Sequence, residues 1–194
     1  MHGTGEGSGG TVRWHVTMSL DGFVAGTDHD MSWMSLNWLP RQEGWPEPAE
    51  RVLGSLGAIL GGRGWYEASR SLNGVEGIYG GRYDGPVLVL THHPEPAPYD
   101  PRISFVTGGI EPAVAAAQAA AHGRDVVLFG ADIAAQALAA DLVDEIVVHT
   151  APVLLGAGVR LTVHERVELE PLHLGHTGPL ADLHYRVRTA ASRQ

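Results

Sequence analysis

An α/β fold is predicted, with a mostly parallel sheet covered by helices on both faces and an antiparallel pair of strands at its end. Three observations carry that prediction. Through the middle of the chain, short apolar runs alternate with helical stretches, the pattern of a parallel sheet buried between helices. Near the C-terminus "VHERVELEPLHL" and "LHYRVRT" follow one another with polar alternation and no helix between them, which suits an antiparallel edge. The chain has 194 residues, 44% hydrophobic and 18% charged, enough for one domain with a sizeable core.

The first ten residues, "MHGTGEGSGG", lack the apolar region of a secretory signal and read as a flexible leader. One domain is expected over residues 11–190. Residues 12–20, "VRWHVTMSL", alternate as a first strand. Asp21-Gly22 follows as a turn-forming pair. Residues 27–48 hold Trp33, Trp38, Trp45 and three prolines, a long irregular connection of the kind that carries function or moves. These tryptophans either line a pocket or pack the loop on the core. A helix around 49–56 leads to a short buried strand at 58–60, and another helix starts near Trp65. The stretch "LNGVEGIYGGRYDG" carries five glycines and is expected to be mobile.

"PVLVLTHHP" at 86–94 is the clearest buried strand, and "ISFVT" is the next. Glu111-Pro112 opens an alanine-rich helix to about residue 121, with proline in the first turn, where its missing N–H costs little. "DVVLF" at 125–129 is a strand, "GADI" at 130–133 starts a helix to about residue 140, and 145–148 is again a strand.

Composition narrows the function. The net charge is −9, so no basic excess exists for nucleic acid or an anionic membrane. No apolar run is long enough to span a bilayer. The absence of cysteine excludes a disulfide framework, a thiolate zinc site and a cysteine nucleophile, and agrees with a reducing cytoplasm. The eleven histidines include no H-x-x-x-H or H-E-x-x-H spacing, and adjacent His92 and His93 on a strand would point to opposite faces. No metal site is expected. Ser19 and Ser32 lack a nucleophile elbow.

Ligands of open α/β sheets bind beyond the carboxyl ends of the strands. Three such ends stand out: "LGGRG" at 60–64, "LTHH" at 90–93 and "FGADI" at 129–133. The first offers the Arg63 fork for a phosphate, the second Thr91 and His92, the third the free N–H groups of a helix N-terminus. Each also reads as an ordinary strand–turn–helix junction, with Asp132 as a helix cap. Together they make a possible nucleotide site.

The ordered set "SLDGFVAG" (19–26), "WM" (33–34), "ILGGRGWYE" (59–67), "VLVLTHHP" (87–94), "VVLFGADIAAQAL" (126–138) and "LVDEIVVHTAPVLLGAGVRL" (142–161) resembles the dihydrofolate-reductase-like superfamily. It is most similar to the reductase domain of bacterial riboflavin biosynthesis and its stand-alone relatives, the bifunctional deaminase-reductase C-terminal domain proteins. With a leader of ten residues, no deaminase domain is expected ahead of it. The resemblance implies a three-layer dihydrofolate-reductase-like fold, with a sheet of about eight strands and an antiparallel C-terminal hairpin. It implies NADPH as hydride donor and a homodimer.

Carried over by position, Val24 and Ala25 would lie along the nicotinamide. Gly62, Arg63 and Gly64 would bracket the adenosine 2′-phosphate and pyrophosphate. Leu90, Thr91 and His92 would hold the adenosine phosphate side. Gly130, Ala131, Asp132, Ile133 and Ala134 would wrap the pyrophosphate. Asp21 matches the acid of the family's "SLDG"; it would assist proton delivery or bind a substrate hydroxyl, or else serve only the turn. Trp33 and Trp38 would shape the substrate pocket.

Two positions depart from the pattern. Ala131 replaces a second glycine, which would alter the cofactor turn if that position needs positive φ. No acid lies between Trp33 and Arg41, where a dihydrofolate reductase holds its pterin. The expected activity is therefore NADPH-dependent reduction of a small heterocyclic or ribosyl metabolite. A dihydrofolate or pterin reductase and a non-catalytic nucleotide-binding module are the alternatives.

Overall fold

The structure is a computed structural model that describes residues 9–34, 47–71, 74–163 and 165–188. In chain order its elements are β1 (Val12–Ser19), β2 (Phe23–Ala25), α1 (Glu47–Ser55), β3 (Leu56–Gly62), α2 (Arg63–Ser71), β4 (Val87–Leu90), β5 (Ile103–Val106), α3 (Ile110–Ala121), β6 (Asp125–Phe129), α4 (Ala131–Ala139), β7 (Glu145–Ala151), β8 (Val159–Arg160), β9 (Glu168–Thr177) and β10 (Leu180–Arg188). Eight strands form one sheet in the order β5-β4-β3-β6-β1-β7-β10-β9. The first six run parallel, while β10 is antiparallel to both β7 and β9. The expected fold class is the observed one.

Helices cover both faces because successive strand side chains point to opposite sides. On one face Val12, Trp14, Leu60, Val126 and Leu128 meet α3 and α4 through Ala113, Ala117, Ile133 and Ala137. The alanines of α3 recur at helical spacing, and their small size lets the helix lie close to the sheet. A Cβ at Gly57 would stand 2.7 Å from the Ala121 carbonyl oxygen, so glycine is needed there. On the other face Ile59, Val87, Val89, Val127 and Val147 pack under Val52 of α1 and Tyr66 of α2.

The amino end of the sheet is tied by charge. Arg13 bonds to Asp125 and, at 2.6 Å, to Glu145, which also pairs with His184 at 2.9 Å. His184 and Arg13 hold the Glu145 carboxyl down at about 2.

Two elements differ from the sequence reading. The glycine-rich stretch is not a free loop: Gly74–Gly81 winds into 3₁₀ turns and buries Ile78 and Tyr79, with Tyr83 buried beyond it. Tyr83 donates to the Pro86 carbonyl at 2.7 Å. The three aromatic and aliphatic side chains supply apolar area that the glycine count hides. Short strands β2 and β8 pair antiparallel as a separate ribbon; two or three residues are too few for periodicity to register. Among the described residues, no helix is long and apolar enough to cross a membrane.

Candidate active site

The sheet order makes β4, β3, β6 and β1 consecutive neighbours. Gly62 is in register with Leu90, and Gly61 with Phe129. All three strand ends singled out in the sequence therefore open on one rim, beside the end of β1 that leads into Asp21.

At the β6 end the chain turns straight from strand to helix through Gly130, whose φ is +97°, a conformation costly to any residue with a Cβ. Ala131 already belongs to α4 and has no positive φ. The left-handed demand thus falls on the retained glycine, and alanine at 131 fits without strain. The first intrahelical bond of α4 runs from Ala134 N to Gly130 O at 3.1 Å, so the N–H groups of Ala131, Asp132 and Ile133 have no partner within the helix. No side chain caps this end. Asp132 accepts from Gln136 Nε2 at 2.7 Å, so it is not the cap that the sequence reading gave it. A Cβ on Gly62 would sit 2.9 Å from Ile133 Cγ1; glycine there lets the β3 end meet the first turn of α4.

Arg63 opens α2. It donates from Nε to Glu67 at 2.7 Å and from Nη1 to the His93 carbonyl at 3.3 Å, and its Nη2 lies 3.1 Å from Glu95. Leu90 is half-buried and Thr91 buried, while His92 is exposed. The Thr91 hydroxyl oxygen accepts from His93 N at 3.1 Å, which leaves its proton to donate elsewhere.

Asp21 is bound on both oxygens. Oδ1 accepts from Ser19 Oγ at 2.6 Å and Leu155 N at 3.1 Å, and Oδ2 from Gly156 N at 2.8 Å. The Ser19 hydroxyl and these backbone N–H groups pull its carboxyl down to about 2. Asp21 is an anion at neutral pH, clamping the turn after β1 to the loop after β7. Gly22, with φ +85°, supplies the bend. These bonds suit the turn-fixing reading of Asp21. The clamp brings β2 against β8, where Ala25 pairs with Val159, and the Arg160 guanidinium lies 4.0 Å from the Phe23 ring centroid. Val24 is half-buried and Ala25 buried. Asp21→Asn should keep the fold, while Asp21→Ala should raise the mobility of residues 20–25 and 153–158, read as faster amide exchange at Leu155 and Gly156. Unchanged exchange in Asp21→Ala would remove the clamp.

A cavity of about 370 Å³ opens beside this rim, lined by Asp28, His29, Asp30, Ser32, Gly64 and Glu67 among others. Trp33 is half-buried, and its buried Nε1 has no acceptor among the described residues. Trp38 lies outside the described residues.

Sequence reasoning missed a buried polar chain across the sheet face under α1 and α2. Tyr79 Oη lies 2.6 Å from His15 Nδ1, His15 Nε2 lies 2.8 Å from His149 Nε2, and His149 Nδ1 lies 2.6 Å from Asp182 Oδ1. Thr177 Oγ1 donates to Asp182 Oδ2 at 2.5 Å. One proton arrangement satisfies every atom with both imidazoles neutral. Tyr79 donates to His15, His15 to His149 and His149 to an ionised Asp182. Burial holds both histidines below their ordinary value. The residues stand on β1, β7, β10, the end of β9 and the 3₁₀ turns, so no single segment displays the set.

The profile of the RibD C-terminal domain matches residues 10–180. The chain belongs to that family. It is a riboflavin-biosynthesis reductase-like protein with a dihydrofolate-reductase-like fold. No curated sequence matches it. Among solved structures, a putative riboflavin biosynthesis protein from a Shewanella species is 21% identical with a TM-score of 0.76, over 92% of this chain and 99% of that one. The Saccharomyces riboflavin biosynthesis reductase Rib7 is 16% identical with a TM-score of 0.58, over 96% and 93%. A Thermotoga maritima deaminase/5-amino-6-(5-phosphoribosylamino)uracil reductase is 15% identical with a TM-score of 0.62, over 93% of this chain and 57% of its own length. These likenesses place the RibD-type fold over nearly the whole chain.

Proposed function

We propose that this RibD-family protein is an NADPH-dependent reductase of a small heterocyclic or ribosyl metabolite of the riboflavin-precursor class. The observation that carries the reading is the convergence of the β4, β3, β6 and β1 ends on one rim. The residues there suit a dinucleotide: uncapped N–H groups at α4 favour a pyrophosphate, Gly62 lets the β3 end lie against Ile133 and Gly130 makes the tight strand-to-helix turn, and Arg63 offers a guanidinium. When bound, NADPH supplies the hydride. The chain's own part is to orient donor and acceptor. Residues 130–134 hold the pyrophosphate, Arg63 with Gly62 and Gly64 the 2′-phosphate side, and Leu90, Thr91 and His92 the adenosine side. Val24 and Ala25 form the nicotinamide wall, kept in place by the Asp21 clamp. Trp33 and the adjoining cavity face the acceptor.

Ionised Asp21 is a poor acid, so the proton that accompanies the hydride comes from water or from the substrate's own groups. A homodimer is proposed on Leu169, Leu172 and Leu174, exposed on outer strand β9, and a cytoplasmic location on the need for a maintained pool of reduced cofactor. Titration with NADPH and then NADH, followed by fluorescence, tests the reading. Arg63→Ala should weaken NADPH more than NADH. Failure of both to bind would end the cofactor assignment, and binding without oxidation by pyrimidine or pterin acceptors would leave a nucleotide-binding module.

A further inference from the structure

The guanidinium proposed to meet the 2′-phosphate already has acceptors on all three nitrogens. Glu67 takes Nε at 2.7 Å, the His93 carbonyl takes Nη1 at 3.3 Å, and Glu95 faces Nη2 at 3.1 Å. Glu95 is itself fixed, accepting from Tyr66 Oη at 3.0 Å with Arg70 Nη1 3.7 Å away. Arg63 also lies over the Tyr66 ring, 5.4 Å from its centroid. Two arginines and two carboxylates balance in charge, so a phosphate monoester reaches a locally neutral patch rather than an open cation. Asp28 and Asp30 line the neighbouring cavity and add no attraction for it.

We infer that Glu67 and Glu95 are specificity-determining residues of the cofactor site, competing with the 2′-phosphate for Arg63 and narrowing the preference for NADPH over NADH. This rests on the cofactor reading above and deepens it. Carboxylate and phosphate both suit the guanidinium fork; one N–H on each Nη remains for a phosphate, but the Glu67 and Glu95 charges already neutralise the cation it would meet. NADP binding therefore sets the 2′-phosphate beside two carboxylates that share its cation, a repulsion that NAD binding does not meet. The pairs are partly exposed, with Glu67 60% and Glu95 24% accessible at the side chain, so each is a modest competitor.

Calorimetric dissociation constants for NADP⁺, NAD⁺ and 2′,5′-ADP test this without turnover. Glu67→Gln and Glu95→Gln should each tighten NADP⁺ and 2′,5′-ADP about two- to fivefold, the scale of an exposed pair, and leave NAD⁺ unchanged. Arg63→Ala serves as the control for the underlying reading. If it weakens NADP⁺ selectively while neither Gln variant tightens it, the competition is overturned. If it has no selective effect on NADP⁺, the placement of the phosphate at Arg63 is wrong, and the inference falls with it. Two variants on separate elements, α2 and the segment after β4, guard against a folding defect in one.

Discussion

Replacing Asp182 by leucine is expected to cost about 2 kcal/mol or more of folding stability, because the buried His149 donor loses its acceptor at about 1–3 kcal/mol and the half-buried Thr177 hydroxyl loses one as well. Asp182 is 1% exposed and accepts from His149 Nδ1 and Thr177 Oγ1. It is the sole acceptor-only member of the chain from Tyr79 through His15 and His149, so it sets the direction of every bond in that chain. Without it, His149 Nδ1–H has no acceptor, and the side-chain tie that reinforces the β7–β10 backbone ladder is lost. Asp182→Asn keeps one oxygen for His149 and should cost less than half as much. Urea unfolding of the three proteins measures both. Equal stability of Asp182→Leu and the parent would mean that the chain contributes nothing.

The same chain fixes the sign of a pH effect. Native His15 and His149 sit below the ordinary histidine value of 6.5, whereas in the unfolded chain they titrate near it. Below that pH the unfolded state binds more protons, so stability falls as pH drops from 6.5 towards the depressed native values, and is fully present above 6.5. A second proton on His149 would also set two N–H donors against each other at the His15 contact. Asp182→Leu should change the steepness of this acid loss; a variant with the parent's pH profile would separate the histidines from it.

Gly130→Ala is expected to weaken NADPH binding by tenfold or so, since a left-handed backbone costs an alanine about 1–2 kcal/mol. Relieving that strain means rotating the peptides that aim the α4 N–H groups. The added Cβ itself meets only Trp65 Cβ at 3.5 Å, an ordinary contact, so the effect comes from the backbone and not from crowding. Ala131→Gly makes the contrast: residue 131 is already helical, and restoring the family's second glycine should leave affinity within about twofold while lowering stability by up to about 1 kcal/mol. NADPH affinity unchanged in Gly130→Ala would detach the cofactor from the α4 end.

The core strands were legible because four or five consecutive apolar residues admit few other readings, as in "VLVL" and "DVVLF". The strand ends at Gly62, Leu90 and Gly130 were legible one by one, but their adjacency was not. Sheet order is a property of long-range pairing, and only the resemblance to a family supplied it. The 3₁₀ turns at 74–81 were misread because glycine count outweighed Ile78, Tyr79 and Tyr83, whose burial decides the matter. The polar chain was invisible for a related reason: His15, His149 and Asp182 stand on three separate strands, and nothing local announces that their faces meet. Asp132 shows the reverse error, a favourable capping residue placed two residues past the Gly130 cap.

Hydride transfer is the central claim. Its direct test is to mix the protein with NADPH deuterated at the transferable position and 5-amino-6-(5-phosphoribosylamino)uracil, the compound named for the Thermotoga enzyme, and to follow cofactor oxidation and the mass of the product together. Loss of the reduced cofactor with deuterium appearing on the former ribosyl carbon is the predicted result. Tight NADPH binding with the deuterium retained on the cofactor, for this acceptor and for pterins alike, would contradict it.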